Sequence, residues 1–214
     1  MRQIIFAFTL LLCSLLAMQA NAQTKTSLGV KLNGNMTNLR LMNMKDRNNH
    51  FEPGANLGGF AKIEFGKSFA LQPELMMSYT EGEIKVGNEK SKYEYSAVEV
   101  PVYAIGQFKA GNGQFFFGLA PLVGYGFDSN EAKVKIGNAE LPNLDDFWKV
   151  DSDNYAKLGL NHWYYGGALI VGYELQNGLT FQAGYQRTHD FRSDSKKRSK
   201  IETHTINLGI GYKF

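Results

Sequence analysis

The stretch Ile201-Glu202-Thr203-His204-Thr205-Ile206-Asn207-Leu208-Gly209-Ile210-Gly211-Tyr212-Lys213-Phe214 decides the fold. In an extended chain, Ile206, Leu208, Ile210, Tyr212 and Phe214 fall on one side. Thr205, Asn207, Gly209, Gly211 and Lys213 fall on the other. A period of two with a single apolar face is that of a β-strand with an oily medium on one side and a polar one on the other.

Seven earlier segments repeat the pattern: Ser27–Thr37, Ala55–Phe65, Phe69–Gly82, Tyr93–Phe108, Gln114–Phe127, Trp163–Tyr173 and Leu179–Thr188. In the third, Phe69, Leu71, Pro73, Leu75, Met77 and Tyr79 oppose Gln72, Glu74, Ser78 and Thr80. In the fifth, Phe115, Phe117, Leu119, Val123, Tyr125 and Phe127 oppose Gly118, Ala120, Gly124 and Gly126. Pro73 and Pro121 lack the N–H that an interior ladder needs, so bulges are expected there, with the register open nearby.

The connections fix the topology. Gly66-Lys67-Ser68, Ala110-Gly111-Asn112-Gly113 and Gln176-Asn177-Gly178 have the composition of tight hairpin turns. Long polar links separate them: Asn38–Gly54, Glu83–Lys92, Asp128–His162 and His189–Lys200. At the other end of the chain, Arg2, the apolar run Ile4–Met18 and Ala20-Asn21-Ala22 have the form of a secretory signal peptide. Residues 1–22 are read as that signal and 23–214 as one domain. Cleavage there removes Cys13, the sole cysteine, and with it disulfides and thiol chemistry. Exported strands joined by alternating short and long links predict an eight-stranded, antiparallel, up-and-down transmembrane β-barrel in the bacterial outer membrane. In that barrel the Tyr212 and Phe214 end of the last strand is the signal read by the barrel-insertion machinery.

The face assignment predicts the interior. If the apolar faces meet lipid, then Lys31, Lys62, Glu64, Glu74, Glu99, Glu174 and Lys213 enter the lumen with Gln72, Tyr103, Gln107 and Asn207. Eight strands leave room for little beyond side chains or one small ligand. Such charges are therefore expected to pair as a polar plug rather than line an ion path. Phe69 and Tyr79, and likewise Trp163 and Tyr173, are spaced to sit in the two aromatic girdles that flank a lipid belt about 25 Å tall.

Two links carry candidate contacts. In the third, Leu141-Pro142-Asn143 can start a short helix that presents Phe147 and Trp148 to a protein or glycan partner. In the fourth, Arg192, Lys196, Lys197, Arg198 and Lys200 suit lipopolysaccharide or sugar phosphates. A net charge of +3 does not point to nucleic acid. Asp151-x-Asp153-Asn154 lacks the glycine and terminal glutamate of a calcium loop, and His50, His162, His189 and His204 are not at metal-ligand spacing. No metal or cofactor is expected. The residues two after each histidine are Glu52, Tyr164, Phe191 and Ile206, so a His-x-Ser lipid-deacylase element is missing. His189 with Asp190 and Ser193 is a weak catalytic suggestion, and the chain is read as no enzyme.

The chain carries a series of short motifs: Leu28-Gly29-Val30-Lys31 with Asn33, Glu52-Pro53-Gly54-Ala55 with Gly58-Gly59-Phe60, and Leu71-Gln72-Pro73-Glu74-Leu75 with Ser78-Tyr79. Val98-Glu99-Val100-Pro101-Val102, Phe117-Gly118-Leu119-Ala120-Pro121, Gly172-Tyr173-Glu174 and Leu208–Phe214 complete it. The series resembles the PorT-type outer membrane β-barrels of Bacteroidota. Tyr164-Tyr165-Gly166 departs from an Asp-aromatic-Gly element common at that point. The resemblance implies an integral outer-membrane barrel, and its eponymous member is tied to type IX secretion. Three readings follow: a scaffold displaying loops, an accessory of type IX secretion, and a soluble lipocalin-like binder with its faces inverted.

Overall fold

The computed structural model describes residues 24–41, 51–86, 89–128, 162–190 and 201–214. These form eight strands: β1 (Thr24–Leu41), β2 (Glu52–Phe65), β3 (Phe69–Val86), β4 (Glu89–Ala110), β5 (Gly113–Asp128), β6 (Trp163–Leu175), β7 (Leu179–Asp190) and β8 (Ile201–Lys213). Each pairs antiparallel with the next, and β8 returns to β1 to close the barrel. Closure leaves no free edge. The three tight turns each place a glycine at positive φ: Gly66 at 74°, Gly111 at 56° and Gly178 at 88°.

The registers fix the bore. A path of paired residues runs from Lys25 through Glu64, Ala70, Ile105, Gly118, Ile170, Gly184 and Asn207, and meets β1 again at Asn35. One circuit therefore climbs ten residues, from 25 to 35. That stagger over eight strands sets a tilt of roughly 40° and a backbone radius of roughly 8 Å.

Two expectations are corrected. No bulge occurs at Pro73 or Pro121: every ladder keeps one register along its length. Phe60↔Glu74 and Ile63↔Leu71 flank Pro73 in step, and Pro101↔Leu122 and Ala104↔Leu119 flank Pro121 in step. Each proline removes a donor without inserting a residue, so the pairing lapses locally and resumes unshifted. The second long link is also shorter than expected. β3 runs to Val86 and β4 starts at Glu89, so the described residues of the span read as a long polar link, 83–86 and 89–92, are paired strand. Its polar composition hid the strands, because backbone pairing beyond the lipid belt needs no apolar face.

Candidate functional site: the barrel interior and outer wall

The outward face is apolar. Leu119 and Leu208, near mid-height, are 66% and 68% exposed, with Leu28, Leu57, Leu75, Phe117 and Val171 also bare. Such a belt is stable only against acyl chains. This overturns the lipocalin-like alternative, which requires those side chains at the centre.

Rings mark both borders of the belt. At the short-turn end Phe65 meets Phe69 (5.9 Å between centroids), Phe108 meets Phe115 (5.8 Å), Phe115 meets Tyr173 (4.8 Å) and Tyr212 meets Phe214 (5.6 Å). At the other end Tyr125 contacts His162 (5.3 Å) and Trp163 (5.0 Å), while Tyr165 lies beside His189 (6.1 Å). Phe69 and Tyr79 are ten residues apart on β3, and ten steps of ~3.3 Å at a tilt of ~40° span ~25 Å. That matches the lipid-facing band of such barrels.

All seven charged residues assigned to the lumen project inward, and their pairing depends on height. Near the short turns, Lys62 Nζ lies 2.7 Å from Glu174 Oε2, and Lys213 pairs with the other oxygen of the same carboxylate. Gln114 donates to Glu174 at 3.1 Å, and Gln107 donates to Glu64 at 2.9 Å. At mid-height Lys31 pairs with Glu74, which also accepts from Gln72 at 2.8 Å. The Lys31 ammonium lies 5.6 Å from the centroids of both Phe60 and Tyr103. Higher up, Glu99 accepts from Tyr164 Oη at 2.7 Å and Gln186 Nε2 at 2.8 Å, and no cation pairs with it among the described residues. Three lysines and three glutamates thus fill the lower and middle bore, and the seventh charge stands above them among neutral donors.

The sequence reading assigned Tyr103 to the lumen but missed the rest of the apolar half of the interior. Tyr103, Ile105, Phe116 and Ile170 form a buried cluster with Ala70, Ala120 and Ala168, and Leu122 packs with Ala97 and Tyr164. The available signal was cross-strand glycine. The register sets Phe60 opposite Gly29, Phe116 opposite Gly172 and Tyr164 opposite Gly124. A Cβ on those glycines would lie 2.2, 2.4 and 2.1 Å from the facing ring's Cζ, so each ring lies flat on bare backbone.

Phe147, Trp148, Arg192, Lys196, Lys197, Arg198, Lys200 and residues 1–22 lie outside the described residues. His162, His189 and His204 sit near the upper border of the wall. Among the described residues no group of three His, Cys, Asp or Glu could hold a metal ion.

A closed eight-stranded barrel with an apolar exterior and a polar, ion-paired bore is an outer-membrane β-barrel. The family model for the outer membrane protein beta-barrel domain matches residues 8–214, and the chain belongs to that family. The protein therefore resides in the bacterial outer membrane, in contact with its lipid. Among solved structures it is similar to Neisserial surface protein A (10% identity, covering 89% of this chain and 99% of that one, TM-score 0.47). It is also similar to Ail, the attachment invasion locus protein of Yersinia pestis (11% identity, 89% and 99%, TM-score 0.45). OprG of Pseudomonas aeruginosa is a third (13% identity, 88% and 96%, TM-score 0.45). No curated protein matches the sequence.

Proposed function

We propose that this barrel is a non-catalytic, non-conducting scaffold whose bore is plugged by its own side chains and whose long links present contacts outside the cell. The observation that carries this reading is the Lys62–Glu174 pair. β2 and β6 are opposite strands of eight, so a 2.7 Å contact between them crosses the full bore. The Gln186–Glu99 bond, from β7 to β4, spans the bore higher up, and the Gln182–Asn33 bond at 3.0 Å bridges β7 and β1 over the intervening β8. A conducting eight-stranded lumen would need these contacts open. Phe147 and Trp148 are the proposed partner contacts on the third link. Arg192, Lys196, Lys197, Arg198 and Lys200 are the proposed phosphate contacts on the fourth. The test is planar-bilayer recording of the purified barrel in salt solution. Steps of conductance from the parent protein would overturn the plug; a silent parent, with conductance only after Lys62→Ala and Glu174→Ala together, supports it.

The motif series from Leu28-Gly29-Val30-Lys31 to Leu208–Phe214 supports a second, finer reading as a PorT-type barrel of Bacteroidota serving type IX secretion. Disruption of the gene followed by assay of exported cargo decides it. Unchanged export would leave the scaffold role alone.

A further inference from the structure

The upper border of the wall changes character on β7 and β8. Where Tyr79, Tyr125, Trp163 and Tyr165 mark it elsewhere, Arg187, His189, Glu202 and His204 occupy the outward positions here. His204 pairs across with Arg187, and Glu202 with His189. Levelled for the stagger, Arg187 stands roughly 10 Å above mid-belt and the other three roughly 12–17 Å above it. That is the depth of the outer-leaflet headgroups.

The arrangement is ordered. Glu202 is 4% exposed although it faces outward. Its Oε1 pairs with Arg187 Nε and lies 2.8 Å from His204 Nε2, and Tyr185 Oη is 2.6 Å from His204 Nδ1. The Arg187 side chain is still 52% exposed. The Glu202 contact is made through Nε, and no other described residue pairs with the guanidinium. Among the described residues the Nη edge is open, at the height of the headgroups. On the β6 side, Arg187 is opposite Gly167, where the nearest atom to an added Cβ would be Ala120 O at 3.8 Å. The wall is bare at that step, with Tyr165 above it and Leu169 below.

We infer that this part of the wall is a seat for one phosphorylated glycolipid of the outer leaflet. The Nη edge of Arg187 contacts the phosphate, and an acyl chain lies in the step at Gly167. A cation on a lipid-facing wall is strongly unfavourable at mid-belt and nearly neutral near the interface. Glu202 offsets the remainder and fixes the guanidinium plane. A guanidinium held by Nε presents two parallel N–H groups, which match two phosphate oxygens. The seat uses wall residues alone and is independent of the contacts proposed on the fourth link.

The test is native mass spectrometry of the full barrel released from nanodiscs of phosphatidylethanolamine doped with lipid A. The parent retains one phosphorylated lipid A, and the same lipid stripped of its phosphates is retained roughly tenfold less, as for loss of one charged hydrogen-bonded contact. Arg187→Gln lowers retention of the phosphorylated lipid to the stripped level. Arg187→Lys, which keeps the charge without the fork, gives an intermediate loss and is the second variant if Arg187→Gln fails to fold. Lys67→Gln, at the opposite rim, retains lipid as the parent does. Equal retention by Arg187→Gln and the parent, or of the lipid with and without phosphate, overturns the seat. Equal retention of phosphatidylglycerol overturns the commitment to a glycolipid.

Discussion

Removing the carboxylate of Glu74 isolates a lysine at the centre of the bore. Lys31 and Glu74 have side chains 2% and 3% exposed, so neither reaches water when its partner is lost. In Glu74→Ala the Lys31 ammonium keeps only the faces of Phe60 and Tyr103, both at 5.6 Å. Breaking a buried pair from one side is destabilising by about 3–5 kcal/mol, and the ring contacts are the same before and after, so a loss of about 3–5 kcal/mol is expected. Gln72→Ala leaves the ion pair intact and should lose only about 1 kcal/mol. The double change Lys31→Met with Glu74→Leu removes both charges at similar volume and should return stability to within about 1 kcal/mol of the parent. Lys213→Met is milder than Glu74→Ala, because Glu174 keeps Lys62 at 2.7 Å and Gln114 at 3.1 Å. Equilibrium unfolding in urea with lipid vesicles, followed by tryptophan emission, measures all four. If Glu74→Ala unfolds at the parent midpoint, or the double change is worse than the single one, the pair does not hold the interior as argued.

Three further expectations come from the wall and the rings. Gly124→Val drives a methyl into the Tyr164 ring and breaks its bond to Glu99, a loss of about 3 kcal/mol or more, whereas outward Gly59→Ala meets only Gly29 O at 3.5 Å and should be neutral. Similar unfolding midpoints for the two would refute the ring-on-glycine packing. Leu208→Arg places a cation at mid-belt and should destabilise the vesicle-embedded barrel by about 2–4 kcal/mol; an unchanged midpoint there would argue against a lipid-facing β8. Phe214 is 72% exposed, with its N–H bonded to Leu28 O at 2.8 Å, so Phe214→Ala should change the folded barrel's stability by about 1 kcal/mol or less. Its amount in the outer-membrane fraction of cells should nonetheless fall several-fold if the last strand is the insertion signal, and undiminished amounts would remove that role.

The strands were legible because lipid is an unforgiving solvent. Leu28, Val30 and Leu32, or Phe115, Phe117 and Leu119, must alternate with inward residues wherever one face meets acyl chains, and a one-residue slip would invert every side chain. Above the belt that constraint ends. Residues 83–86 of β3 and 89–92 of β4 are polar and paired, and polarity alone reads as a loop. Inside the bore the limit was different. Gln72, Glu74 and Glu99 announced a polar interior, but Phe116 and Leu122 look no different in sequence from their lipid-facing neighbours. Alternation puts both on the inward face with Gly118 and Gly124, and the register adds what that face lies against by setting Phe116 over Gly172. Arg187 and Glu202 share the outward parity of Phe181 and Ile206, yet their place at the upper border follows only from the stagger of the closed circuit.

That circuit also bears on where function can reside. Ten residues of climb over eight strands fix a radius of roughly 8 Å, and side chains reaching inward from opposite strands meet at the centre. Lys62 and Glu174 do so, and the rings seated on Gly29, Gly172 and Gly124 occupy much of what remains. Widening the bore would require a different stagger or more strands, and substitution at single positions supplies neither. On the proposed scaffold reading the interior serves to hold the cylinder together, with its three lysines and three lower glutamates in balance. Selection for recognition then has two surfaces to act on: the long links and the outer wall. The wall is the more constrained, since nearly every outward position must be apolar. A half-exposed arginine positioned by a buried glutamate is a departure that lipid contact alone does not explain.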